Sequence, residues 1–114
     1  MKKLPHAGSA RVEEKKIRDY LLNLNHPDGK SKAQFFQARG FSATDWECMR
    51  DALVAQGQNN LVVKETPTDW GIRYQVDCHC PTPDGVNPCI RSVWECSCEN
   101  DFPRLLTAHP LPKR

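Results

Sequence analysis

The hydrophobic period of this chain changes once, at Gly57, and that change limits the folds open to it. Before Gly57, apolar residues recur at helical spacing: Val12, Ile17, Tyr20, Leu21 and Leu24, then Ala33, Phe35, Phe36 and Ala38, then Trp46, Met49, Leu53 and Val54. After it the period is two. Ile72, Tyr74, Val76, Cys78 and Cys80 alternate with Arg73, Gln75, Asp77 and His79, and Ile90, Trp94, Cys96 and Cys98 lie opposite Arg91, Glu95 and Ser97. The pattern predicts an α+β fold, with about three N-terminal helices packed on one face of a C-terminal, mainly antiparallel four-stranded sheet.

Punctuation residues set the expected boundaries. Helix one is read over residues 10–23 with Ser9 as its cap, and helix two over 31–39 with Gly40 as a left-handed C-cap. Ser42 or Thr44 caps a third helix that Gly57 stops. The strands are expected at Leu61–Val63, 72–80, 89–98 and 104–109, the last with Leu106 pointing inward. At 114 residues the chain has room for one domain, 1–114, with 1–9 and 110–114 as irregular termini.

Sixteen basic against 14 acidic side chains exclude nucleic-acid binding by bulk charge, so any such patch is local. No window has the apolar length of a membrane span, and a cytoplasmic protein is expected. With six cysteines and no secretory signal, the choice lies between buried thiols and metal ligands. If Cys78 pairs near Ile90, then Cys96 lies about 20 Å away along the hairpin, which separates the Cys78/Cys80 and Cys96/Cys98 pairs too far for one zinc site. The cysteines are therefore read as small buried hydrophobes, with no metal and no cofactor.

Alternation projects Arg73, Gln75, Asp77 and His79 beside Arg91, Glu95 and Ser97 on an open sheet face, joined by Thr107 and His109. Arginine forks bind phosphate oxygens and imidazoles exchange protons near neutral pH, so this surface suits an anionic ligand. A second candidate is His26-Pro-Asp-Gly-Lys-Ser-Lys-Ala. There a turn histidine precedes Lys30 and Lys32 at a helix N-terminus, where cations are mildly unfavourable unless they serve a ligand. Trp46, Trp70 and Trp94 are read as core before ligand platform, with Trp70 the least constrained. No phosphate loop, nucleophile elbow or dinucleotide fingerprint is present.

Several segments together resemble a small family of uncharacterised bacterial domains: Leu4-Pro-His-Ala, Lys16-Ile-Arg-Asp-Tyr-Leu-Leu-Asn, His26-Pro-Asp-Gly-Lys-Ser-Lys-Ala, Arg73-Tyr-Gln-Val-Asp-Cys, Ile90-Arg-Ser-Val-Trp and Asp101-Phe-Pro-Arg-Leu-Leu-Thr. The chain departs from the pattern at Cys78, Cys80, Cys96 and Cys98 and in the Pro81–Pro88 connection. Through its helices-then-strands order the family is distantly similar to the barnase, EndoU, colicin and RelE-like ribonuclease toxins, which occur in toxin and mobile-element settings. The resemblance implies metal-independent RNA cleavage or an inactive relative, with RNA or a cognate inhibitor protein as partner. Carried onto this chain, His26 is general base or acid, Lys32 and Arg91 hold the phosphate, and Thr107 orients it. Lys30, Arg73 and His109 contribute binding. Replacing His26 or Lys32 by alanine is expected to remove cleavage and leave the melting temperature nearly unchanged. The rival readings are a protein-binding or homodimerising module that uses the open sheet face, and a small-molecule or anion-binding protein.

Overall fold

The structure, a computed structural model, describes residues 2–97 and 101–111. Helix α1 (Glu14–Lys16) runs directly into a π-helical turn (Ile17–Leu21). Helix α2 (Lys30–Ala38) and helix α3 (Trp46–Asn59) follow, and then strands β1 (Val62–Thr68), β2 (Gly71–His79), β3 (Cys89–Cys96) and β4 (Arg104–Pro110). The strands pair antiparallel in the order β1-β2-β3-β4. Helices precede a four-stranded meander, as the switch of period requires.

The first helix starts later than its sequence pattern suggests. Arg11 N–H donates to the Pro103 carbonyl at 2.8 Å and the Arg11 carbonyl accepts from Leu105 N–H at 3.0 Å, so the backbone here is extended beside β4. Ser9 consequently lies in a 3-10 turn and caps nothing. The amino-terminal segment is packed: Leu4 is buried, and Val62 N–H donates to the Lys2 carbonyl at 2.9 Å. At the other end Leu111 N–H donates to the Cys89 carbonyl at 3.2 Å. Cys98 and residues 112–114 lie outside the described residues.

Gly40 ends α2 as expected. Its φ of 102° is left-handed, and Phe41 N–H reaches back to the Phe36 carbonyl at 3.2 Å. Gly57, in contrast, does not stop α3, which continues to Asn59. Gly57 is buried against Trp94, and an added Cβ would lie 2.9 Å from Trp94 Cζ2, so the missing side chain allows the helix to lie flat on the indole. One residue earlier, Gln56 is fully buried. Its Nε2 donates to the carbonyls of Val76 at 2.9 Å and Ile90 at 3.3 Å, and its Oε1 accepts from Ser92 Oγ. Ser92 Oγ also accepts from Trp94 Nε1 at 2.7 Å. This network fastens α3 to the middle of β2 and β3.

Two strand irregularities reset which side chains share a face. Between β3 and β4 the register shifts, with Val93 opposite Thr107 but Trp94 opposite Leu105. The bulge inserts one extra residue, and Leu105 and Ala108 fill the core instead of Leu106. Thr107 and His109 still reach the outer face, for a different reason from the one expected. In β2, Cys78 has a φ of 135°, and its side chain leaves the core series for the outer side. β1 is longer than Leu61–Val63: Lys64-Glu65-Thr66-Pro67 carries no apolar signal, but edge position tolerates proline and pairing to β2 holds the segment extended.

Candidate functional site

The π-helical turn decides where Tyr20 goes. Leu22 N–H donates to the Ile17 carbonyl at 2.8 Å, and the wider turn lets Ile17, Leu21 and Leu22 all enter the core. Tyr20 is left at the border. Its hydroxyl meets Thr107 Oγ1 at 3.1 Å and receives a hydrogen bond from Lys32 Nζ. Lys32 and Lys16 lie 4.9 and 5.5 Å from the ring centroid, and the His26 imidazole meets the ring edge-on at 4.9 Å. Three sequence-predicted residues, His26, Lys32 and Thr107, thus converge from α2, its preceding turn and β4 on a tyrosine that the hydrophobic pattern assigned to the core.

Burial alone would raise the Tyr20 phenol. The hydrogen bonds from Lys32 and Thr107, with the charges of Lys32 and Lys16, outweigh it and hold the group below the ordinary tyrosine value. The placement of Lys32 at a helix start, unfavourable for the dipole, is explained by this contact. The cluster opens on a cleft of about 650 Å³ lined by Lys16, Asp19, Tyr20, His26, Asp28 and Leu106. A neighbouring hollow on the sheet face is lined by Lys16, Lys64, Arg73, Gln75 and Thr107. Lys16 belongs to both.

His26 is held through one ring nitrogen. Nδ1 accepts from the backbone N–H of Asp28 and of Gly29, both at 3.0 Å, so in the neutral ring the proton sits on Nε2. The imidazole therefore closes the turn into α2 much as an N-cap side chain does. His26→Ala is accordingly not neutral: it is expected to lower stability by about 1 kcal/mol in thermal or urea unfolding. His26→Asn, whose amide oxygen can accept the same N–H groups, is expected to recover most of that loss, separating the turn's stability from whatever Nε2 does.

The remaining candidates stay apart from Tyr20. Arg91 is engaged in a two-pronged pair with Asp77, Nε to Oδ1 at 2.8 Å and Nη2 to Oδ2 at 2.9 Å. His109 stands opposite Arg91, two pairs along the sheet from Thr107. Arg73 is exposed and 3.3 Å from Glu95 Oε2, and Lys30 is exposed at the first residue of α2. Tyr20 and Lys16 are the residues missed in the sequence. Their i, i+4 spacing, with a phenol at the edge of an apolar stripe that needs a partner for its hydroxyl, was the available signal. Of the tryptophans, Trp94 is fully buried, Trp46 is partly covered beneath Arg50, and Trp70 is 74% exposed at the β1–β2 turn. Cys78 stands opposite Ile90 and Cys96 opposite Ile72, the register that separates the cysteine pairs. Cys80 is buried, and its thiol is pushed up to about 12 by burial.

Residues 3–112 match the family described as a domain of unknown function, DUF6883. No curated protein matches the sequence. A chain of the solved structure titled "Contact-dependent growth inhibition toxin - immunity protein complex" from Klebsiella pneumoniae 342 superposes with a TM-score of 0.64 at 20% identity, over 95% of this chain and 98% of that one. That likeness establishes a shared fold. Among the described residues, no helix is long and apolar enough to cross a membrane.

Proposed function

The chain belongs to the DUF6883 family of unknown function, and from that premise we propose that it is a toxin-type ribonuclease whose chemistry is centred on Tyr20. The observation that carries the reading is the Tyr20 hydroxyl held between Lys32 Nζ and Thr107 Oγ1, on an open cleft where Lys15, Lys16 and Arg104 stand among Glu13, Asp19 and Asp28. The phenolate oxygen takes the proton of a ribose 2′-hydroxyl, which attacks the adjacent phosphorus. The bond from phosphorus to the 5′-oxygen then breaks, leaving a cyclic phosphate. Lys16, which lines both the cleft and the sheet-face hollow, supplies the proton for the departing oxygen. Lys32 offsets the negative charge of the phosphorane, and these ammonium groups supply the positive charge in a metal-independent mechanism. His26 offers Nε2–H to a phosphate oxygen, a donor's role, because Nδ1 is occupied by the turn. Thr107 orients Tyr20. Arg73, Lys30 and His109 line the path of the flanking strand, and Arg91, its fork filled by Asp77, acts as a fixed part of that surface.

The shared fold with a chain of a toxin and immunity protein complex supports both the toxin setting and a protein partner. A second reading, a protein-binding module, draws on β1, an edge strand with Val63 52% exposed and Trp70 at its turn. Induced expression of wild type and Lys32→Ala in a bacterial host, with growth and new RNA ends followed, tests the enzyme reading. Growth arrest and new RNA ends for wild type alone are the expected result. Normal growth and unchanged RNA from a folded wild-type protein would overturn it in favour of the binding module.

A further inference from the structure

We propose that Cys78 and Cys89 form a redox-active dithiol that closes to a disulfide when met by a peroxide. In a regular antiparallel ladder the two could not pair. Cys78 stands opposite Ile90 and Cys89 opposite His79, so the cysteines are one residue out of step and would point to opposite faces. The left-handed φ of 135° at Cys78, a conformation L-residues avoid and most often hold at sites of function, turns its side chain to the face that carries Cys89. Both then line the same cavity of about 920 Å³, together with Asp77, His79, Val86 and Arg91. Cys78 is near enough to Cys89 to raise its thiol. Strand spacing and rise place their Cα atoms about 6 Å apart, inside the range a disulfide spans.

The remaining cysteines of the described chain contrast with this pair. Cys80 and Cys96 are buried in the core, and Cys48 is exposed on α3. Closure balances with one peroxide. A thiolate attacks the peroxide O–O bond, giving a sulfenic acid and one water. The second thiol then attacks the sulfenic sulfur, forming S–S and releasing a second water. Two thiols lose two protons and two electrons, and hydrogen peroxide becomes two waters. Burial, the Cys78 contact and the negative charge of Asp77 raise the Cys89 thiol, while Arg91 is paired to Asp77 and His79 Nδ1 to the Asn87 carbonyl. Closure therefore speeds up from neutral to mildly alkaline pH.

The test is stoichiometric hydrogen peroxide on the purified, reduced full chain, with intact mass and peptide mapping. The expected result is loss of two hydrogens and a Cys78–Cys89 cross-linked peptide, reversed by dithiothreitol. Cys78→Ser and Cys89→Ser, checked for folding by circular dichroism, are expected to give no intramolecular link. A sulfenic acid on the surviving cysteine, trapped by dimedone, supports its role as one half of the pair. Overoxidation without a link in wild type, or a link to any other cysteine, overturns the proposal. The outcome is independent of the ribonuclease reading, because it is read by mass and not by activity.

Discussion

Tyr20→Phe is expected to lower RNA cleavage by about 10²–10⁴-fold, the range lost when a positioned acid or base is removed. The ring stays, so its contacts with Lys16, Lys32 and His26 persist and only the hydroxyl contacts are lost. Cleavage assays on a purified RNA substrate, run beside thermal melts, measure both effects. A variant that melts near wild type and cleaves at the wild-type rate would remove Tyr20 from the chemistry. The pH profile offers a further check. Because the Tyr20 phenol lies below the ordinary tyrosine value, cleavage is expected to rise with pH through that lowered value as phenolate forms. Lys32→Ala is expected to move the rise upward. The chain has two tyrosines, so the phenolate absorbance that wild type shows and Tyr20→Phe lacks reports Tyr20 directly. The sign for stability follows: the folded state holds fewer protons than the unfolded one in that window, so stability rises with pH there and Lys32→Ala weakens the rise.

Gln56→Ala is expected to lower folding stability by about 3 kcal/mol, through a cavity and a broken buried network. Gln56 is fully enclosed, and its amide group reaches β2, β3 and the Ser92 hydroxyl at once. Its removal leaves Ser92 and the Val76 and Ile90 carbonyls short of partners at the seam between α3 and the sheet. Urea unfolding with an unchanged slope and a lower midpoint is the expected observation. A loss below about 1 kcal/mol would mean that the seam relaxes or admits water.

The chain's own order of residues carried the architecture. Periodicity is a one-dimensional record of which face is buried, so the switch at Gly57 located three helices and four strands, while the pairing of Cys78 with Ile90 entered as a condition that the structure meets. It also placed His26, Lys32 and Thr107 among the residues of interest, because imidazole, ammonium and hydroxyl groups at turns and on open faces are recognisable by type. What needed the tertiary structure was parity, partnership and packing. The bulge at Leu106 and the left-handed backbone at Cys78 change the face a side chain points to without changing the composition of the strand. Gly57 carries the same letter whether it ends a helix or lets one rest on Trp94. Tyr20 looked apolar in its stripe, and only the approach of Lys32 and Thr107, 12 and 87 residues away in sequence, made its hydroxyl the centre of the candidate site. Local pattern determined the elements because hydrophobic burial is periodic, and the folded chain alone decided the site because the groups that shift a phenol's charge act through space.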